Sequence, residues 1–305
     1  MMALRVFGAG IVGACVVLYK MWGAPHNPQD PQIANIAASH IQTAPNASTA
    51  IASDRVRQES EDRYTKYLAL LAQYAWPKGS WENGEIEIID DVQAIPQIEA
   101  QRYQQLCSKG LPMEEAWNSS RVGIVTEDMY TILVRDAVKF PNGRTGTFFR
   151  YIWKSPDHQA SGAAVLPITS DGRVVLILKY RHATRSWEFE LPRGAKERGE
   201  TMEQAIRRRL QEETGWVAGA CEELGRLTVN TSAEGQRVPV YIAKLDHLES
   251  AKEVEGAIQG VYYFTKEEVL EGLKVGYLKV EDKQHPFCGA FEAYALLQAM
   301  LRQAI

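Results

Sequence analysis

Residues 190–216, ELPRGAKERGETMEQAIRRRLQEETGW, restrict this chain more than any other stretch. Thr201 and Gln204 have the spacing of a capping box, which predicts a helix beginning at about Met202. Gly215 is suited to the left-handed residue that ends a helix. On that helix positions 209, 212 and 213 fall within an arc of roughly 100°. Gly194 lies six residues before Glu200, so a loop precedes the helix and faces this arc. A carboxylate-rich arc facing a loop is how a protein holds Mg²⁺ against a diphosphate. The ion takes oxygen ligands, keeps some waters and shares the rest with phosphate oxygens. It can then polarise phosphorus and activate a water. Arg209 stands on this arc where a third carboxylate would serve better.

Around this segment the periodicity alternates between strand and helix. Residues 130–140 and 145–153 read as two strands joined at Asn142-Gly143, a hairpin turn signal. Residues 161–168 lead through Asp171-Gly172 into an apolar strand over 174–182. Later strands are expected at 226–230, 239–245 and 260–264, and helices at about 265–273 and 288–304. Strands, a central helix, more strands and terminal helices make an α/β sandwich. His182 and His285 have no ligand partner in sequence, and Trp187 reads as packing.

The first 118 residues differ in character. Residues 6–19 are uncharged and apolar between Arg5 and Lys20, but 14 residues fall short of the roughly 17–25 that span a bilayer. Met21 and Trp22 continue the apolar character past Lys20, so a membrane anchor, a cleaved targeting segment and a plain buried helix or start-site artefact all stay open for residues 1–22. Residues 23–54, rich in Pro, Asn, Gln, Ala and Ser, read as a flexible linker. From residue 55 to 118 the pattern is helical, with Tyr64, Tyr67, Leu68, Leu71 and Tyr74 at three- and four-residue spacing. Further helices are expected at about 98–107 and 113–117, giving an extension ahead of the main domain at 119–305. A formal net charge of −4 gives no global signal for nucleic acid. Cys15, Cys107, Cys221 and Cys288 lie far apart, which suggests reduced thiols and an intracellular setting rather than a disulfide framework or a zinc site.

The central segment resembles the Nudix box, G-x5-E-x7-R-E-U-x-E-E-x-G-U, with U a bulky apolar residue. Gly194, Glu200, Arg208, Leu210, Glu212, Glu213, Gly215 and Trp216 fill eight of its nine fixed positions, and Arg209 replaces a glutamate. With the strands before it, the resemblance covers about residues 120–303 and is to the ADP-ribose pyrophosphatase-like branch. It implies a Nudix-type α/β/α sandwich with a mixed sheet, here preceded by the apolar segment and the helical extension. It also implies Mg or Mn, a nucleoside diphosphate substrate such as ADP-ribose or an ADP-sugar, and often a homodimer.

Residue by residue, the resemblance implies metal contacts from Glu212, Glu213, the backbone carbonyl of Arg193 and Glu200. Arg208 orients the box glutamates. Arg181 and Glu190 lie near the substrate. Glu213 is also a catalytic candidate, and the general base comes from the later loop, with Glu255 first and Glu253 second. Arg209 leaves two readings open. In one the chain is a pyrophosphatase that tolerates the replacement. In the other the guanidinium contacts the diphosphate and the domain binds a nucleotide or a protein partner without turning it over.

Overall fold

Alternation along one buried strand sets the layers of the main domain. In β5 (Gly162–Ile168) every residue is buried. Ala163 and Val165 join a core beneath the central helix, while Ala164, Leu166 and Ile168 join a core on the opposite face. Such two-sided burial is the expected pattern of a central strand covered on both faces. The computed structural model describes residues 47–155, 160–249 and 257–305, with side chains from residue 58 onward. Residues 59–305 form one compact unit.

The main sheet has seven strands and runs β11 (Ile258–Phe264), β6 (Val174–Arg181), β5, β10 (Val238–Leu248), β9 (Trp216–Leu227). Two short strands join it: β7 (Ser186–Glu190) pairs with β6, and β8 (Arg193–Ala195) pairs with β5. β5 and β10 are parallel, and the other pairings are antiparallel, so the sheet is mixed as expected. Helix α4 (Met202–Thr214) packs Ile206 and Leu210 on one face against Val165, Val175, Tyr241 and Ala243. Helix α6 (Ala290–Leu301) packs Phe291, Ala295, Leu296 and Ala299 on the other, with Val269 of α5 (Lys266–Val275) in the same core. These are the three layers.

A second, four-stranded antiparallel sheet precedes these three layers in the chain. It contains β1 (Glu87–Ile88), β2 (Gly123–Glu127), β3 (Thr131–Lys139) and β4 (Thr145–Trp153). Helix α1 (Ala47–Tyr74) packs Tyr64, Tyr67 and Leu70 on it, α2 (Ile95–Ser108) adds Ile95 and Ile98, and α3 (Met113–Ser120) follows. Two buried carboxylates fasten the helices. Glu99 accepts from Arg63 at 2.6 Å, from the Tyr64 hydroxyl at 2.8 Å and from the Val122 amide. Asp136 accepts from the Tyr67 hydroxyl at 2.9 Å and from two nitrogens of Arg150. Burial, and then the neighbouring Glu99, push the Tyr64 phenol up to about 12.

Several boundaries differ from the sequence reading. Helix α1 begins at Ala47, so residues 47–54, read as linker, have helical backbone. The strand expected at 226–230 is the end of the longer β9, which starts directly after Gly215. Val229 lies beyond it, half exposed in the connection to β10. A hairpin of β12 (Tyr277–Val280) and β13 (Lys283–Pro286) was not foreseen. No helix among the described residues is long and apolar enough to cross a membrane, and residues 1–22 lie outside them.

Candidate active site

Helix α4 begins and ends as its sequence dictates. The Thr201 hydroxyl accepts from the Gln204 amide at 3.1 Å, and the Gln204 side chain accepts from the Thr201 amide at 2.8 Å. Gly215 closes the helix with φ +78°, which costs glycine nothing. These two ends fix the rotation of the helix, and so the arc on which Arg209, Glu212 and Glu213 stand.

Arg208 ties the loop before the helix to the helix itself. Its Nε and Nη2 donate to the two oxygens of Glu200 at 2.7 and 2.8 Å, its Nη1 to Glu212 at 3.2 Å, and Nη2 also to the Ala195 carbonyl. Glu200 accepts in addition from the Glu197 amide at 2.8 Å. The Arg208 bridge, ahead of the amide, holds the Glu200 carboxyl down at about 2. The orienting position expected for Arg208 is therefore where the loop and helix meet.

Glu213 is buried, with 2% of its side chain exposed, and points into the sheet. Its Oε1 accepts from Lys179 Nζ at 2.9 Å, and its Oε2 from the Arg193 amide at 3.2 Å. The Lys179 side chain is itself only 7% exposed. Lys179 was missed in the sequence reading, yet a signal existed. It stands in phase with Val175, which packs under α4, so a period of two turns it inward. A lone lysine at an inward position of an apolar strand needs an acid opposite it.

Arg181 and Glu190 are brought together. Arg181 Nε donates to both Glu190 oxygens at 2.8 Å, and Nη2 adds a further contact. Arg193 Nη2 reaches the same carboxylate at 3.0 Å, and its guanidinium stacks over Phe291 with 4.9 Å to the ring centroid. Glu292, buried beside this turn, accepts from the Leu191 amide at 2.9 Å, and burial raises its carboxyl above the usual range. Glu292 was also missed. The turn from Glu190 to Gly194 is thus fastened from α6, from β6 and from α4.

Arg209 does not point away into solvent. Its stem lies over Gly194, where a Cβ would collide with Arg209 Nε, Cδ and Cγ. Its Nη1 donates to Glu212 Oε2 at 3.3 Å, and both side chains are about one-third exposed. Arg209 Nε is buried without a hydrogen-bond partner among the described residues. The first glycine of the segment therefore serves this chain by leaving room for the guanidinium.

The three carboxylates expected to hold a divalent ion already have cationic partners: Glu200 has Arg208, Glu212 has Arg208 and Arg209, and Glu213 has Lys179. Among the described residues no group of three or more His, Cys, Asp or Glu side chains is arranged to hold an ion. As folded, this set does not fit a divalent ion held by the protein alone. Glu253 and Glu255 lie outside the described residues. His285 packs edge-on to Phe189, and Trp187 edge-on to Tyr180.

Comparison with known proteins bears on this geometry. Residues 158–283 match the family described as the NUDIX domain. The chain is 25% identical over 206 residues to the ADP-ribose pyrophosphatase of Bacillus subtilis (strain 168), covering 66% of this chain and 97% of that protein. It is 30% identical over 109 residues to the methanol dehydrogenase activator of Bacillus methanolicus, covering 36% of this chain and 56% of that protein. A crystal structure of an ADP compounds hydrolase superposes with a TM-score of 0.48 at 20% identity, over 60% of this chain and 92% of the other.

Proposed function

We propose that this chain, whose residues 158–283 match the NUDIX domain, is a hydrolase of the ADP-ribose pyrophosphatase-like branch that converts ADP-ribose or an ADP-sugar to AMP and a sugar phosphate. The reaction adds water to one phosphorus and breaks the bridging P–O bond. The water's proton passes to a base, and the bridging oxygen leaves on the other phosphate. Glu255, with Glu253 second, is the proposed base. Arg181 and Arg193, held at Glu190, are the proposed substrate contacts. Arg208 positions the loop through Glu200.

The observation that carries this reading is the convergence of Arg181, Arg193, Arg208 and Arg209 on one loop and helix arc. A diphosphate is the kind of ligand that such a collection of donors suits. Nudix hydrolases generally use Mg or Mn, and the reading includes a divalent requirement, met weakly because the box carboxylates are already paired. A homodimer belongs to the same proposal, since β4 leaves Phe149 and Trp153 exposed at 52% and 41%. Attachment to a membrane through residues 1–22 does too.

The Arg209–Glu212 pair favours one second reading, a domain that binds a nucleoside diphosphate without turning it over. The test is a turnover panel of the full chain against ADP-ribose, ADP-sugars and other nucleoside diphosphates, with Mg²⁺, with Mn²⁺ and with EDTA. AMP and sugar phosphate in equal amounts support hydrolysis. Saturable binding of these ligands with no product in any arm would replace it with the second reading.

A further inference from the structure

We infer that Lys179 and Arg209 are standing counter-cations of the box, so that a diphosphate binds on Arg209 without a divalent ion being loaded first. This rests on the reading of the loop and α4 as a diphosphate site. Glu213 is buried, and a buried carboxylate is stable only when paired and hydrogen-bonded. Lys179 and the Arg193 amide supply such partners within the protein. Glu212 lies nearer to solvent and is shared by Arg208 and Arg209. An entering divalent ion has to displace or repel these cations, and like charges a few ångströms apart oppose it.

Geometry then favours the anion. The Arg209 stem is seated on Gly194, so the guanidinium is positioned at the mouth of the loop before any ligand arrives. Its pair with Glu212 is long at 3.3 Å and about one-third exposed, so a stronger acceptor can exchange for it. A phosphate oxygen is such an acceptor, and the planar fork of arginine matches two of them. Arg193 lies on the same loop, two-thirds buried and fixed by Glu190 and Phe291, and supplies the neighbouring charge.

Two titrations on the full chain test this. In the first, Mn²⁺ binding without substrate is followed by electron paramagnetic resonance of the free ion. The parent is expected to bind Mn²⁺ at least tenfold more weakly than Arg209→Glu. In the second, inorganic pyrophosphate is titrated calorimetrically in EDTA. The parent is expected to bind, Arg209→Ala to lose tenfold or more, and Arg209→Lys to keep part of the affinity. Thermal melting confirms that each variant is folded. Because Arg209 is partly exposed, Arg209→Lys keeps the test valid if the alanine variant fails to fold. Equal Mn²⁺ affinity in parent and Arg209→Glu would overturn the inference, as would pyrophosphate binding that needs a divalent ion or ignores Arg209. Neither titration measures turnover, so their failure is separable from failure of the hydrolase reading.

Discussion

Two regions of this molecule solve the same problem in different ways. In the N-terminal sheet and its helices, Asp136 and Glu99 are buried, and each collects a guanidinium and a tyrosine hydroxyl. In the box, Glu212 and Arg209 pair near the surface, and only Glu213 is buried in the manner of Asp136. The first arrangement fastens helices to a sheet and has no acceptor to spare. The second keeps charge at an open loop, where a ligand can exchange with it. The same residue types therefore serve anchoring in one place and recognition in the other, and burial makes the difference.

The largest effect expected is on the anchor. Asp136→Ala leaves Arg150 and the Tyr67 hydroxyl without their acceptor and should cost on the order of 3–5 kcal/mol. Chemical denaturation of the full chain measures it. A loss under about 1 kcal/mol would mean that the two regions do not differ as described. Next is Lys179→Met, which removes the buried ammonium beside Glu213 and should cost about 3 kcal/mol. Adding Glu213→Leu should restore most of that stability while leaving diphosphate turnover absent, measured by melting and product assay together. Recovery of both would make the pair purely structural.

A smaller effect separates by pH. The folded carboxyl of Glu200 lies near 2, below its ordinary value of 4.5. A depressed carboxyl stabilises fully above its unfolded value and loses that contribution as pH falls through the folded one. Glu200→Gln should therefore cost roughly 1–2 kcal/mol at pH 7, allowing for partial exposure. The gap from the parent should close between about pH 4.5 and pH 2. A gap independent of pH would assign Glu200 a packing role instead. The smallest effect is Thr201→Ala, about 1 kcal/mol from the lost cap, read as a lower melting temperature.

Much of the fold was legible where local chemistry determines it. Thr201, Gln204 and Gly215 mark their own helix ends. Asn142-Gly143 marks the turn between β3 and β4. β9 was misplaced because its exposed edge carries Glu222, Glu223 and Arg226 with glycines at 219 and 225, a composition that reads as loop. The β12–β13 turn uses Glu281 and Asp282 at φ +48° and +65°, without the glycine or asparagine that would have announced it. In the site, spacing alone put Glu212 and Glu213 on one arc of the helix, and Arg208 was named through the resemblance to the Nudix box. Lys179 could not be matched to Glu213, because an inward lysine does not say which acid 34 residues away it meets. Nor could spacing show that Arg209 lies on Gly194 rather than in solvent.

The most direct test of the account is AMP release from ADP-ribose by the full chain, followed over a Mn²⁺ series beside Glu213→Gln and Arg209→Glu. AMP and ribose phosphate are expected in equal amounts from the parent and are expected to be lost in Glu213→Gln. A lower half-saturating Mn²⁺ concentration is expected in Arg209→Glu. No AMP from the parent at any Mn²⁺ concentration, with AMP appearing only in Arg209→Glu, would contradict it and make this a binding domain.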